Sequence, residues 1–451
     1  MLRDTLAIFL ARLSSLLLKV FKVGAGTSLP GKIAFKISPS LLSKLVKQTR
    51  REIISVTGTN GKTTTCGFIA GILKTDNRTF VHNRRGANML EGIITAAIEK
   101  SNLLGQLNID NCLFESDEAY LAKMADFFTA DYLVITNLFR DQLDRYGELD
   151  TTAKKIEAAI DKFTQKKDTV LLINADDPTV AKLGKNAKKI YFGFEEIEFM
   201  NLDKNVETPK EVASCPCGSN LNYSKIFYAH MGHYYCHCGY QRPNLNIIAR
   251  AKVYTNHSEI EIKYPEKNIK VDINVDLPGL YNTYNALAAG TLGLCMNISP
   301  EIIKIGVENY STVFGRAEKL VIQNKNVIVQ LIKNPAGATE VLRTVKDDPD
   351  SKLLIIINDN YADGRDVSWL WDANFELIKK HSKNIIVSGI RASDMAVRLK
   401  YAGIPHENIK IQENISKAIN ESISQTSQNE KLYIMPTYTA LLDMQKILNK
   451  L

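Results

Sequence analysis

Lys62 and Thr63 stand directly behind the glycine turn Gly58-Thr59-Asn60-Gly61, an order of residues that can hold a phosphate chain. Backbone N–H groups of such a turn face anionic oxygens. The lysine then reaches the β and γ phosphates, and the hydroxyl behind it reaches Mg²⁺. The first glycine of the usual pattern would fall at residue 56, where Val56 stands; the rest is intact. A second group is sulfur. Cys215-Pro216-Cys217-Gly218 and Cys236-His237-Cys238-Gly239 bring four thiols in two close pairs, a donor set for structural Zn²⁺. The pairs are C-x-C, one residue tighter than the usual knuckle, and His230, His233 or His237 could replace a thiolate. Free or redox-active cysteines are the plainer alternative. The third group is acidic, the loop Asn358-Asp359-Asn360-Tyr361-Ala362-Asp363-Gly364-Arg365-Asp366. A calcium hand would need an oxygen ligand at Tyr361 and a Glu at Leu370, and it has neither. A solvated loop is the alternative there.

The elements around these groups read as α/β. The β-branched run 52–56 predicts a buried strand before the glycine turn, and the apolar run 66–73 predicts a helix after it. Strands are expected at 112–114, with Glu115 at the exit, and at 132–137 and 170–173. Helices are expected at 88–100 and 151–163. Strands whose far ends carry polar residues describe an open parallel sheet with ligands across those ends. Strand-like alternation returns at 253–263 and 270–275, and a turn at Leu277-Pro278-Gly279 feeds an Ala-rich helix. A smaller doubly wound unit follows, with strands at 327–332, 353–358, 384–388 and 432–435. The expected domains are residues 1–50, an N-terminal amphipathic helical segment; 51–318, an ATP-binding domain with a zinc-ribbon insert at about 205–245; and 319–451, a C-terminal α/β domain.

In residues 1–22, Leu2, Leu6, Phe9, Leu13, Leu16 and Val20 fall on one helix face, and Arg12, Ser15, Lys19 and Lys22 on another. Arg12 and Lys19 break the run short of the ~20 apolar residues that span a bilayer, and no small-residue cleavage site follows. Two readings stand: the helix packs on the body, or it lies at a membrane surface. A second short helix is expected at 39–48, capped by Ser38.

At 451 residues the chain has room for about three domains. A net charge of +8, from 57 basic and 49 acidic residues, is modest for this length. It permits an anionic surface or a phosphorylated substrate and does not call for nucleic acid. Seven cysteines, three of them isolated in apolar stretches, do not make a disulfide framework.

Taken in order, several motifs resemble the Mur ligase family over residues 51 to about 320. They are Thr57-Gly58-Thr59-Asn60-Gly61-Lys62-Thr63; Glu115; Thr136-Asn137-Leu138 with Asp141, Leu143 and Asp144; Asn174 with Asp176-Asp177; Asn282 with Asn285-Ala286-Leu287-Ala288-Ala289; and Gly315-Arg316. The resemblance implies a P-loop central domain, a Rossmann-like C-terminal domain, and ATP-dependent activation of a carboxylate as an acyl phosphate. By resemblance the ATP contacts are Thr59, Asn60, Gly61, Lys62, Thr63, Thr64, Asn285 and Arg316. Thr63 and Glu115 would hold Mg²⁺, and Lys62 and Glu115 belong to the catalytic set. Mur ligases usually have His where Gln142 stands.

The ribbon cysteines and Asp363-Gly364-Arg365-Asp366 narrow the resemblance to the family's amidating branch and extend it to nearly the whole chain. That branch converts the α-carboxyl of D-glutamate in the lipid II stem peptide to an amide, at the inner face of the cytoplasmic membrane. Amino-acid-adding relatives tend to carry Asp-Tyr-Ala-His before the Asn-Pro that here is Asn334-Pro335, and its absence favours ammonia as nucleophile. No Gly-x-Cys-x-Gly nucleophile turn occurs in this chain, so the resemblance implies a separate glutaminase subunit, whose Cys and His Asp366 would complete. A stand-alone ligase adding an amino acid is the other enzymatic reading.

Overall fold

The computed structural model describes residues 2–21, 28–83, 87–140, 149–200, 215–310, 316–346, 348–381 and 385–448. The readings at Lys22, at Asp141 to Gly147, at 205–214 and at Gly315 lie outside them, as do the side chains of Lys19 and Arg316.

The described strands form three sheets. The largest contains β1 (Ile53–Thr57), β2 (Phe80–His82), β3 (Asn111–Glu115), β4 (Tyr132–Ile135), β5 (Val170–Asn174) and β6 (Lys188–Phe199). A hairpin of β7 (Asn222–Tyr228) and β8 (Met231–Tyr235) follows, and then β9 (Ile247–Val253), β10 (Ser258–Tyr264) and β11 (Ile269–Val275) return to the large sheet. Its order is β11-β10-β9-β6-β5-β4-β1-β3-β2. The pairs from β2 to β9 are parallel, and β9-β10-β11 is an antiparallel edge. The run expected as one strand at 253–263 is thus a hairpin arm, turned where Tyr254 N–H meets His257 C=O. Strands β1, β3, β4 and β5 lie where the apolar runs place them. They are buried on both faces, as a covered parallel sheet requires.

The second sheet holds β12 (Arg316–Ile322), β13 (Lys325–Gln330), β14 (Lys352–Ile356), β15 (Ile385–Ser388), β16 (Ile409–Ile411) and β17 (Lys431–Pro436), in the order β12-β13-β17-β14-β15-β16. All pairs are parallel except β12-β13. Since β12 begins at Arg316, residues 316–318 belong to this sheet, although the sequence reading puts the domain boundary after them. Two cores, above and below each sheet, bury the aliphatic side chains.

Helix α1 (Leu2–Val20) packs on α2 (Leu29–Ile37). The short α3 (Leu41–Val46) begins later than expected, and Ser38 does not cap it. The Ser38 hydroxyl donates instead to the Asp4 carboxylate at 2.6 Å, tying the loop to α1.

Candidate active site and cysteine cluster

Strand β1 ends at Thr57, and α4 (Lys62–Thr75) starts after four intervening residues. Gly61 caps the helix with φ +85°, a conformation L side chains rarely adopt. The space is closed as well, since a Cβ there would lie 2.0 Å from Asn285 Oδ1. Asn285 sits on the Ala-rich helix Leu280–Cys295, so the Ala-rich run brings that helix against the turn. Thr65 Oγ1 donates to the same Asn285 oxygen at 3.3 Å.

The turn is braced from β4. Asn137 Oδ1 accepts from Asn60 N–H at 2.9 Å, and its amide donates to Asn60 C=O at 3.1 Å. The Thr136 hydroxyl donates to the same carbonyl at 2.8 Å. The Thr59 hydroxyl is committed to the Phe139 backbone. Thr64 is buried in the first turn of α4.

Lys62 is buried at the mouth of the turn. Its ammonium donates to Gly58 C=O at 2.5 Å and to the Glu118 carboxylate at 2.8 Å. Burial pushes the ammonium down, but Glu118, Asp117 and Glu115 outweigh it, so Lys62 stays above its ordinary value and charged. Glu118 is pushed up by burial, against the pull of Lys62. The Thr63 hydroxyl donates to Glu115 Oε2 at 2.7 Å. Glu115 stands opposite Val56 across β1–β3, and Asn83 brackets its backbone, accepting at 2.9 Å and donating at 2.8 Å. Thr63 and Glu115 thus offer two hard oxygens side by side, a donor set that fits Mg²⁺. The sequence reading missed Glu118 and Asn83. The local trace of Glu118 is an acidic pair, Asp117-Glu118, just past the strand-exit Glu115; its pairing with Lys62 is long-range.

The second sheet closes over this turn. Lys333 Nζ donates to Thr59 C=O at 3.2 Å, and Asn334 Nδ2 donates to Asn60 Oδ1 at 3.0 Å. Arg316 opens β12 opposite Gln330; its side chain is outside the described residues.

Asp366 lies past the carboxyl end of β14, well away in sequence from the phosphate turn. The three acids of its loop differ. Asp359 is held by the Arg391 guanidinium at 2.7 and 2.9 Å. Asp363 accepts from Thr439 N–H at 2.7 Å and from its hydroxyl, and burial pushes this carboxyl up. Asp366 accepts only locally among the hydrogen bonds seen, from Ser368 N–H at 2.8 Å, and hydrogen bonds from Ser368 hold its carboxyl low.

The cysteines converge. Cys215, Cys217, Cys236 and Cys238 place their sulfurs within 4.8 Å of one another. Sulfur pairs are 3.3 Å (Cys215–Cys238, Cys215–Cys217) and 3.7 Å (Cys217–Cys236) apart. Four thiolates at tetrahedral Zn–S bonds of about 2.3 Å would stand about 3.8 Å apart, so the set fits zinc. Each pair sits on the same kind of turn. Gly218 N–H returns to Cys215 C=O at 2.8 Å and Gly239 N–H to Cys236 C=O at 3.0 Å, with positive φ at both glycines. The four close thiols share their protons unequally: hydrogen bonds from Ser219 lower Cys217 to about 6, while burial pushes Cys215 up to about 12. Of the three candidate histidines, His237 keeps Nδ1 3.8 Å from Cys236 Sγ, beside the cluster, and the other two are turned elsewhere. His233 Nε2 is 2.8 Å from Phe194 C=O, and His230 is buried 3.4 Å from Asp177, so neither substitutes for a thiolate.

Comparison with known proteins agrees with this geometry. Residues 56–234 match the Mur ligase middle domain, and residues 331–441 match the MurT ligase C-terminal domain. The chain is 36% identical to the lipid II isoglutaminyl synthase (glutamine-hydrolyzing) subunit MurT of Streptococcus pneumoniae, over 99% of this chain and 97% of that one. It is 35% identical to the MurT subunit of Staphylococcus aureus, over 94% and 93%. Among solved structures, a type C pseudomurein peptide ligase from Methanothermus fervidus has the same fold, with a TM-score of 0.67 at 22% identity, over 89% of this chain and 79% of that one. MurF of Thermotoga maritima in complex with ADP superposes with a TM-score of 0.62 at 11% identity, over 95% and 85%.

Proposed function

The chain belongs to the Mur ligase family, on its MurT branch, and we propose from that premise what each part of the site does. It is a subunit of lipid II isoglutaminyl synthase, an ATP-dependent, glutamine-hydrolysing ligase of peptidoglycan synthesis. The observation that carries this reading is likeness to two MurT subunits along nearly the whole chain, with Lys62, Thr63 and Glu115 in place.

The α-carboxylate of D-glutamate in the lipid II stem peptide attacks the γ-phosphorus of ATP, and ADP leaves. Ammonia then attacks the carbonyl of the acyl phosphate, phosphate leaves, and the amide loses a proton to solvent. Lys62 and the backbone N–H groups of Gly61 to Thr64 meet the phosphate oxygens where charge builds up. Thr63 and Glu115 would hold Mg²⁺, which would supply neutralisation of phosphate charge. Asn285 holds the turn in shape and Arg316 contacts the nucleotide. Lys333 stands directly before Asn334-Pro335, where amino-acid-adding relatives carry the end of an Asp-Tyr-Ala-His run, and Lys333 and Asn334 both touch the phosphate turn. The absence of that run supports ammonia as the nucleophile.

Ammonia comes from a partner glutaminase, whose catalytic His is oriented by Asp366, the third member of a divided triad. Asp366 is therefore a positioning residue. The four cysteines carry structural zinc, and the enzyme works at the inner face of the cytoplasmic membrane, where its substrate lies. The test supplies the chain and a glutaminase subunit with ¹⁵N-amide glutamine and follows the label into the stem peptide. Label in D-isoglutamine is expected. Incorporation of a free amino acid instead would support the stand-alone ligase.

A further inference from the structure

Helix α1 has two apolar faces and uses only one. Ala7, Ile8 and Ala11 are fully buried against the body, and Arg12 on their flank donates to Ile98 C=O and Ser101 C=O. The opposite face carries the larger side chains. Leu2, Leu6, Phe9, Leu13, Leu16, Leu17 and Val20 are 41–90% exposed. At about 100° per residue they share an arc of roughly 100°, centred opposite Ala11. The small residues thus dock the helix, and the leucine face is left to solvent. Folding does not account for that face.

Charge says what covers it. Residues 1–50 hold nine basic residues and one acid, Asp4, while the rest of the chain is balanced at 48 of each. The whole net charge of +8 therefore lies in the segment that bears the exposed stripe. Lys32 and Lys36 are exposed on α2, beside α1, and Arg3 reaches from α1 to Ile37 C=O at the end of α2. No described helix is long and apolar enough to cross a membrane. An amphipathic helix fixed to a basic body, with leucine and phenylalanine outward, suits the boundary between anionic headgroups and acyl chains.

We propose that the outward face of α1 docks this protein on an anionic lipid surface, lying in its plane. The proposal deepens the reading of a lipid-linked substrate and rests on it for biological sense, but its test does not need turnover.

The full-length chain is sedimented with phosphatidylglycerol vesicles and with phosphatidylcholine vesicles. Binding to phosphatidylglycerol should be stronger by at least about tenfold, and should fall about tenfold or more as salt rises from 0.05 to 0.5 M. Leu6→Gln/Phe9→Gln/Leu13→Gln should lose most of that binding. It should keep its melting temperature, and its ammonia-driven amidation of a lipid-free stem peptide should stay unchanged. Lys32→Glu/Lys36→Glu, which leaves the stripe intact, should weaken binding by about tenfold and supplies the reading if the first variant fails to fold. Vesicle binding without amidation would sink the enzymatic reading and leave this one standing. Failure of the full-length chain to sediment with phosphatidylglycerol vesicles would overturn it. So would binding that neither variant reduces, or a wild-type dimer that the stripe substitutions dissociate.

Discussion

The phosphate turn and the acidic loop occupy the same kind of place, the carboxyl end of a parallel strand, and are built on opposite terms. At the turn the charged and hydroxyl groups named above are paired, while Asn60 Nδ2 is buried without a hydrogen bond. Lys62 pairs with Glu118, Thr63 with Glu115, Asn60 with Asn137 and Asn334. In the loop after β14, Asp359 and Asp363 are bound to Arg391 and Thr439, and these bonds frame Asp366, which accepts from its own neighbour Ser368. A site that meets a small polyanion is pre-organised by burial. On the proposed role of Asp366, a site that meets a partner's side chain is rigid around its rim and keeps its working group near the surface.

Substitutions can break this contrast. The largest effect is expected from Lys62→Ala, which should lower amidation by about 100-fold or more with either glutamine or ammonia. It also leaves Glu118 buried without its partner, so the melting temperature should drop; near-normal ATP turnover would refute the assignment. Asp366→Asn should spare ammonia-driven amidation and ATP binding, and cut glutamine-driven amidation on the order of 100-fold, with the complex still assembled. Equal loss with both donors would place Asp366 in the synthetase or the fold, and equal retention would make it a plain surface acid. Asp363→Ala removes the bonds to Thr439 and should cost about 1–3 kcal/mol of stability, read by denaturant unfolding. Its glutamine-driven turnover should fall more than its ammonia-driven turnover, because the loop that carries Asp366 loosens. The smallest effect on chemistry is expected from Cys217→Ser or chelation. Freshly purified protein should hold about one zinc by elemental analysis. Its loss should destabilise the insert while ammonia-driven turnover stays within a few-fold, because a closed site does not meet substrate.

How far the sequence could be read follows the range of the interactions. Gly58 to Thr63 and Glu115 were legible because a strand, a turn and a helix start announce themselves within a few residues. The four cysteines were legible as a set, because their glycines mark two like turns. Glu118 was not, since its role is a pairing with Lys62 across 56 residues. Ser38 reads locally as a helix cap, but Asp4, 34 residues away, takes its hydroxyl. The periodicity of residues 2–20 reveals an apolar stripe and is silent on which face docks. Close approach favours Ala7 and Ala11, so the smaller face wins. Strand β6 was missed because its alternation is broken by a register shift between Phe194 and Glu196.

The two hydrogen bonds from Lys333 and Asn334 to the phosphate turn tie the second sheet to the first. Anything that moves the turn carbonyl of Thr59 pulls on the segment leading into the helix Pro335–Lys346, and the reverse holds. Thermodynamic linkage then makes any such exchange reciprocal: whatever factor nucleotide lends to a contact made by the second sheet, that contact returns to nucleotide.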